Sequence, residues 1–236
     1  MKVAMISGAN RGIGLAIAKA LAEAGYALSL GVRQPQAVPA DLAAKAIETF
    51  AYDATDAASG RAWVEATLTA AGRIDVLVNN AGIAETLALM EDPPLADDEA
   101  EAILDRLLGV NVKAPFLLTR AALPHLCRSG SGRVLTIASM SGKRVLGLNA
   151  GYQMSKHAVV AISNAVRRTG WEHGVRATAI CPAYVATDMT AGYDHVDAHE
   201  ITQPEDLARL AVEVVQLPNT ASVAELLVNW RYEPGF

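Results

Sequence analysis

Cysteine is scarce in this chain. The 236 residues include two cysteines, Cys127 and Cys181, which lie far apart and do not have the close spacing of metal ligands. Two cysteines without such spacing are typical of reduced, half-buried thiols in a reducing compartment. We therefore expect free thiols and no metal site.

Long apolar runs are also missing. The chain begins M-K-V-A-M-I-S-G, and no long apolar segment precedes its first glycine, which argues against a signal peptide. No uninterrupted apolar run approaches the roughly 20 residues that a membrane-spanning helix needs. We expect a soluble, cytoplasmic protein that has no membrane partner.

Positive charge is sparse and scattered. Lysine and arginine number 20 against 25 aspartates and glutamates, which gives a formal net charge of -5. Because there is no basic stripe, nucleic acid is not an expected partner. Apolar residues make up 52% of the chain and charged residues 19%, so there is ample material for a large buried core.

The stretch from Ser139 to Lys156 carries the clearest chemical pattern. Tyr152 and Lys156 are four residues apart, a spacing that places both side chains on one face of a helix. Ser139 ends an apolar, β-branched run that predicts a strand. A nearby ammonium favours the phenolate and lowers the pKa of a tyrosine, which is otherwise about 10. Our hypothesis is that Tyr152 exchanges a proton with substrate, Lys156 tunes it, and Ser139 hydrogen-bonds the reacting oxygen. The alternative is an ordinary surface Tyr and Lys.

A glycine-rich turn lies near the N-terminus. The strand-like run from Lys2 to Ser7 is followed by G-A-N-R-G-I-G at 8–14, and helical spacing of apolar residues then continues to Ala24. Glycines allow the backbone to approach a ligand, and the start of a helix offers free N–H groups to a phosphate. This strand–turn–helix order predicts a phosphate site, whereas the alternative is a tight turn with no ligand.

The end of the second predicted strand bears on the choice of cofactor. In dinucleotide-binding folds an acidic residue about 20 positions after the glycines holds the ribose 2′-hydroxyl, and an arginine there accepts a 2′-phosphate. Arg33 ends the strand that begins at Ala27, and no acidic residue occurs from Tyr26 to Ala40. This favours NADP(H) over NAD(H), with Arg11 as a second cation. The alternative for either arginine is a solvated surface charge.

Polar residues follow other predicted strands. Asp53, after the third strand, is expected to cap a backbone N–H or to contact adenine, with capping preferred. Asn79-Asn80-Ala81-Gly82 follows the fourth strand, at the sheet edge where ligands bind in open parallel sheets. Asn111 lies in an apolar stretch of a helix predicted from about Leu104 to Arg128, irregular at Gly109 and near Pro115. A buried Asn there would serve a distorted helix backbone or a water in a proton path.

The alternation of strands and helices continues to the end of the chain. It predicts a parallel sheet covered on both faces, in the α/β class. A loop from about residue 187 to 202 resembles a mobile substrate lid. A final turn and strand are expected from Ala221 to Trp230. With no internal repeat and no linker, one domain over residues 1–236 suffices.

Taken together, these motifs resemble the short-chain dehydrogenase/reductase family over nearly the whole chain. The matching segments are G-A-N-R-G-I-G at 8–14, N-N-A-G at 79–82, Asn111, Ser139, Y-Q-M-S-K at 152–156 and P-A-Y-V-A-T at 182–187. The resemblance implies a three-layer, doubly wound Rossmann fold with a seven-stranded parallel sheet. It also implies NAD(P)-dependent hydride transfer to or from a small carbonyl or alcohol substrate, in a homodimer or homotetramer.

The resemblance also implies functional residues. The catalytic set is Asn111, Ser139, Tyr152 and Lys156, and Lys156 also holds the nicotinamide ribose. Cofactor contacts are expected from Tyr152 and Lys156 and from five segments that follow predicted strands: Gly8, Asn10, Arg11, Gly12, Ile13, Gly14, Arg33, Asp53, Asn80, Ala81, Gly82, Pro182, Val185 and Thr187. Many members have Pro-Gly where this chain has Pro182-Ala183, which is tolerated if Ala183 has a negative φ.

Three functions are compatible with such a fold. The favoured one is a carbonyl reductase or alcohol dehydrogenase that uses NADP(H). A non-catalytic, NAD(P)-binding regulator would not need Tyr152 and Lys156 together. A lyase or dehalogenase that uses the fold without nicotinamide would not need the complete glycine turn.

Overall fold

The computed structural model describes residues 1–192 and 197–233. Within these ranges, seven strands form one parallel sheet in the order β3-β2-β1-β4-β5-β6-β7. The strands are β1 (Val3–Ser7), β2 (Ala27–Val32), β3 (Ala46–Ala51), β4 (Val76–Asn79), β5 (Arg133–Ile137), β6 (Arg176–Pro182) and β7 (Glu225–Val228). The predicted seven-stranded parallel sheet is therefore confirmed.

Helices connect successive strands of the sheet. They are α1 (Gly12–Glu23), α2 (Ala40–Ala43), α3 (Ser59–Ala71), α4 (Asp97–Leu108), α5 (Ala114–Arg128), α6 (Ala150–Gly170) and α7 (Pro204–Gln216). Short 3₁₀ turns occupy Pro35–Ala37, Met140–Gly142 and Trp171–His173, and one π-helical turn spans Gly109–Lys113.

Alternate residues of the central strands supply two separate cores, as the period of two in a strand requires. Ile6 of β1 packs with α1 and α7 on one face, where Leu21 and Leu207 are fully buried. Met5 packs on the opposite face with Trp63 of α3 and residues of α5. Strands buried on both faces read as nearly continuous apolar runs, which is why β1, β2 and β4 were predictable. The predicted three-layer, doubly wound arrangement is confirmed.

The region between β4 and β5 differs from the expectation. The helix predicted from Leu104 begins earlier, at Asp97, and its first turn contains Asp97, Asp98 and Glu99. Acidic side chains there favour a helix start because they face the positive end of the helix dipole. The predicted irregularity at Gly109 is confirmed, since the π-helical turn begins at that residue and separates α4 from α5.

The C-terminal region contains a shorter strand than predicted, Glu225–Val228 rather than most of 221–230. The lid predicted at about 187–202 falls partly outside the described residues, because 193–196 are not among them. Its described parts form turns, and Val185 pairs with Thr202 across its base. The assignment of residues 1–236 to one domain with a lid stays a prediction.

Candidate active site

The glycine turn joins β1 to α1 at the carboxyl edge of the sheet, where the strand order reverses between β1 and β4. Gly8 and Gly12 have φ values of 69° and 53°, which residues with a Cβ rarely adopt. Arg11 is the N-cap of α1 in an extended conformation, and its side chain makes no capping hydrogen bond. The first turn of α1 therefore keeps backbone N–H groups without a side-chain cap, which suits a phosphate.

Gly14 is required by packing within the turn. A Cβ at this position would lie 2.3 Å from the carbonyl oxygen of Gly8 and 2.3 Å from Asn80 Nδ2. Ile13, beside it, packs against the core around α1 and α7, and Asn10 is half-buried in the turn. These contacts give Gly14 and Ile13 structural functions in addition to the predicted contact with cofactor.

The segment Asn79–Gly82 is held directly against the glycine turn. Asn80 Nδ2 donates hydrogen bonds to the carbonyl oxygens of Ser7 and Gly8, at 3.0 and 3.2 Å. The backbone N–H groups of Asn80 and Ala81 both donate to Ser7 Oγ at 3.0 Å. Ser7 was not among the predicted site residues, although a hydroxyl immediately before the glycines was a usable signal. This network couples the carboxyl ends of β1 and β4.

Two arginines stand near the expected ribose end of a dinucleotide. Arg33 is exposed just after β2. The pKa of Asp53 is lowered mainly by the hydrogen bonds that its carboxylate accepts from the backbone N–H and hydroxyl of Thr55, and the charge of Arg33 adds a smaller lowering. Asp53 therefore makes the capping interaction that the sequence favoured. Arg11 forms an exposed ion pair with Asp188, at 2.8 Å.

Asn111 lies in the π-helical turn and is 2% exposed. Its Oδ1 accepts a hydrogen bond from Ile83 N at 2.9 Å, and its Nδ2 donates to Ile83 O at 2.9 Å and to Ser155 Oγ at 3.1 Å. A Cβ on Gly82 would lie 3.2 Å from Asn111 Oδ1 and 3.8 Å from Lys156 Nζ. Asn111 thus fastens the segment after β4 to helix α6, beside the buried lysine.

Lys156 is 7% exposed, and its ammonium lies against the end of β5. Nζ donates a hydrogen bond to Ile137 O at 3.2 Å and lies 5.6 Å from the centre of the Tyr152 ring. Burial lowers the pKa of Lys156 from 10.5 to about 8. A buried amine next to a phenol is an arrangement that favours proton exchange near neutral pH.

Ser139 is half-buried at the N-cap of the 3₁₀ turn that follows β5, and its Oγ accepts a hydrogen bond from Ser141 N at 3.0 Å. That turn presses directly on α6, because a Cβ on Gly142 would lie 2.4 Å from the carbonyl oxygen of Lys156. Gly142 was not among the predicted site residues. Its close approach brings the segment of Ser139 next to the helix that carries Tyr152 and Lys156.

The loop after β6 lies at the same edge of the sheet as the glycine turn. Pro182 ends the strand, and Val185 is buried. Thr187 touches the glycine turn, since a Cβ on Gly12 would lie 3.2 Å from its Cγ2. Ala183 has a negative φ, because none of the described non-glycine residues has a positive one. The Pro-Ala sequence is therefore accommodated without strain.

A thiol completes the buried surroundings of the lysine. Cys181 is buried at the end of β6, and its pKa is raised to about 11, mainly by desolvation. Both cysteines are free.

Over residues 1–192 and 197–233, no group of three or more His, Cys, Asp or Glu is arranged to hold a metal ion. Within the same ranges, every helix is too short or too polar to cross a bilayer.

Comparison with known proteins identifies the class to which this architecture belongs. The family model described as short chain dehydrogenase matches residues 2–197. The chain belongs to this family of oxidoreductases.

Individual relatives add detail. Agropine synthesis reductase from Rhizobium rhizogenes is 40% identical over 223 residues, which cover 94% of this chain and 50% of that protein. The chain thus spans about half the length of the agropine synthesis reductases it matches.

Two solved structures have the same fold along almost their whole length. An alcohol dehydrogenase from the archaeon Thermococcus sibiricus, complexed with 5-hydroxy-NADP, is 28% identical with a TM-score of 0.86, covering 100% of this chain and 99% of its own. A 3-ketoacyl-(acyl-carrier-protein) reductase from Brucella melitensis, complexed with NADH, is 27% identical with a TM-score of 0.85, covering 97% of each chain.

Proposed function

We propose that this protein transfers a hydride between a nicotinamide cofactor, preferably NADP(H), and a carbonyl or alcohol substrate. The observation that carries the proposal is the buried Lys156 ammonium, held against Ile137 O and 5.6 Å from the Tyr152 ring. Burying a lysine is costly, and such a group is more often kept for chemistry than for stability. The relatives complexed with NADH and with 5-hydroxy-NADP support a nicotinamide cofactor.

The residues present fit such a cofactor. The uncapped start of α1 and the positive φ of Gly8 and Gly12 form a cradle for the phosphates. The bound nicotinamide would supply or accept the hydride. Asn80, Ala81 and Gly82 would line the crevice, as would the loop residues Asn10, Ile13, Pro182, Val185 and Thr187.

The protein's own groups would manage the proton. In the reducing direction, Tyr152 Oη donates a proton to the carbonyl oxygen of the substrate, and in the oxidising direction it accepts one from the hydroxyl. Ser139 Oγ donates a hydrogen bond to the same oxygen. Lys156 stabilises the phenolate while it exists and would also hold the nicotinamide ribose. Asn111 holds the backbone around Ile83 and links it to Ser155 on the same helix as Tyr152.

A variant that lacks only the phenol oxygen of Tyr152 tests the proposed proton transfer. We expect Tyr152→Phe still to bind NADPH, because Lys156 and the glycine turn are unchanged, but to lose on the order of 10²- to 10⁴-fold in kcat, because the acid/base group is gone. Binding is measured by fluorescence titration and turnover by nicotinamide absorbance. If Tyr152→Phe and the wild type turn over equally fast, another group must act as the acid/base. If neither protein turns over any substrate, the non-catalytic regulator is favoured.

The preference for NADP(H) rests on Arg33. Its side chain is exposed at the end of β2, and no carboxylate between Tyr26 and Ala40 would repel a 2′-phosphate. We expect Arg33→Ala to weaken NADPH binding about 10-fold or more and to leave NADH binding nearly unchanged, because only NADPH carries the phosphate. Arg61→Ala, which removes an exposed arginine on α3, is the matched control. Equal weakening of both cofactors in Arg33→Ala would contradict the argument.

An apolar rim is exposed on the two loops that contact the start of helix α6, where Gly151 N donates a hydrogen bond to Leu87 O and Gln153 Nε2 donates one to Leu146 O. We define it as Leu89 and Met90 from the loop after β4 and Val145, Leu146 and Leu148 from the loop after β5, all of them exposed. Solvent-facing clusters of large apolar residues beside a crevice are typical of binding surfaces. We propose that the substrate carries an apolar portion that lies on this rim while its carbonyl or hydroxyl group meets Tyr152.

Assembly and location are further parts of the proposal. We propose a homodimer or homotetramer in solution, as the family resemblance implies, which light scattering after size-exclusion chromatography would measure. A cytoplasmic location agrees with the two free thiols, since Cys127 and Cys181 form no disulfide.

A further inference from the structure

Asn149 connects the start of helix α6 to the loop that follows β4. Its Oδ1 accepts hydrogen bonds from Tyr152 N at 3.3 Å and from Leu87 N at 3.1 Å. Its Nδ2 donates to Glu85 O at 3.0 Å. The first of these bonds caps the helix. The other two reach a segment more than 60 positions earlier in the chain.

Leu87, to which Asn149 is bonded, packs near Tyr152, the proposed acid/base group. Leu87 is 9% exposed and forms a small apolar cluster with Ile103 and Leu107, against which Tyr152 packs. The backbone is close as well, because Gly151 N donates to Leu87 O at 3.0 Å. A Cβ on Gly151 would lie 3.1 Å from Leu87 atoms. Displacement of Leu87 would therefore loosen the packing around the Tyr152 ring.

We propose that Asn149 is a positioning residue for Tyr152. It fixes the backbone of Tyr152 and the apolar contact beside its ring through one amide, so that the phenol is presented in a single orientation. The proposal rests on the proposed function for its effect on turnover, but the orientation of the ring is a property of the free protein. A cap alone would not require asparagine, because serine caps helices about equally well.

A serine at position 149 separates the helix cap from the bonds to the loop after β4. Asn149→Ser keeps an acceptor for Tyr152 N but is too short to reach both Leu87 N and Glu85 O. Asn149→Ala removes all three bonds. Asp56→Ala is the matched control, since Asp56 Oδ1 accepts a single bond from Ala58 N at 2.9 Å near the start of α3. It removes a side-chain bond to backbone on a helix that lacks the proposed catalytic residues.

Two measurements test the proposal. The first is kcat and the dissociation constant for NADPH. We expect kcat to fall on the order of 10-fold in Asn149→Ser and in Asn149→Ala, because a misplaced catalytic group is costly, with NADPH binding unchanged in both. The second is NMR of the free protein labelled with ¹³Cζ-tyrosine. We expect the Tyr152 resonance to shift or broaden in both variants and that of buried Tyr52 to stay in place.

The outcomes separate the two hypotheses. If Asn149→Ser matches the wild type in kcat and in the Tyr152 resonance, only the cap matters and the proposal is overturned. If the wild type turns over no carbonyl substrate, the proposed function fails, and the resonance of Tyr152 still decides the positioning role. A shifted resonance then supports that role, and an unshifted one contradicts it. Asp56→Ala is expected to match the wild type in both measurements.

Discussion

Replacement of Lys156 by methionine should make the free protein more stable and catalytically inactive. Lys156 is 7% exposed, and burial lowers the pKa of its ammonium from 10.5 to about 8. That difference corresponds to about 3 kcal/mol of unfavourable free energy when the lysine is charged in the folded protein. Methionine fills similar space without a charge, but the bond to Ile137 O is lost, which costs about 1 kcal/mol. Near pH 7, we expect a net gain of about 2 kcal/mol in the free energy of unfolding.

The gain should depend on pH in one direction. Below the folded-state pKa of about 8, the lysine is charged in both the folded and the unfolded chain, so the folded protein bears the full cost. Between that value and 10.5, the folded wild type has released the proton while the unfolded chain still holds it. Wild-type stability therefore rises with pH by about 1.4 kcal/mol per pH unit from this group, whereas Lys156→Met lacks the effect. The advantage of the variant should shrink across this window and turn into a small deficit above it.

Urea unfolding of both proteins from about pH 7 to about pH 10.5 measures the difference. Groups that titrate in both proteins, such as Tyr52, largely cancel when the two free energies are subtracted. Turnover is measured in parallel and should be lost in Lys156→Met. A stability difference that stays constant over the whole range would refute the reasoning, because it would show that Lys156 does not change its protonation in that window.

Two other predictions concern the rim and the turn after β5. For the apolar rim, kcat/KM for a series of straight-chain ketones should rise about 4-fold per added methylene until the rim is covered, because each buried methylene contributes about 0.8 kcal/mol. Leu148→Ser should flatten this rise and Ile47→Ser, on β3, should not; a flat series in the wild type would contradict an apolar subsite. For the turn, Gly142→Ala should lower the free energy of unfolding by roughly 1–3 kcal/mol and reduce turnover, because its Cβ would press on the Lys156 carbonyl oxygen. Gly109→Ala, which meets nothing within 4 Å, is its control, and equal stability of the two variants in urea would oppose this reading.

The sequence predicted those features that depend on neighbours along the chain. Apolar strand runs, the glycine turn and the spacing of Tyr152 and Lys156 are local patterns, and each predicts a conformation by itself. The break at Gly109 was visible for the same reason. The start of α4 at Asp97 was missed because its first turn, just after two prolines, is acidic and shows no apolar periodicity.

Features that depend on distant parts of the chain were not predictable. Asn149 meets Leu87 across 62 positions, and Arg11 meets Asp188 across 177. Gly142 looks like any loop glycine until the 3₁₀ turn is placed on α6. Such contacts arise from the order of strands in the sheet, which local periodicity does not specify. The candidate site was therefore predictable as a set of chemical groups, but the bonds that hold those groups in place were not.

The carbonyl oxygen that accepts the hydrogen bond from Lys156 Nζ belongs to Ile137, only two residues before Ser139. The Lys156 ammonium is therefore bonded to the same short piece of extended backbone that carries the Ser139 hydroxyl. The separation of the ammonium and the hydroxyl therefore depends on a short stretch of covalent chain and one hydrogen bond, in addition to the packing of α6 on the sheet.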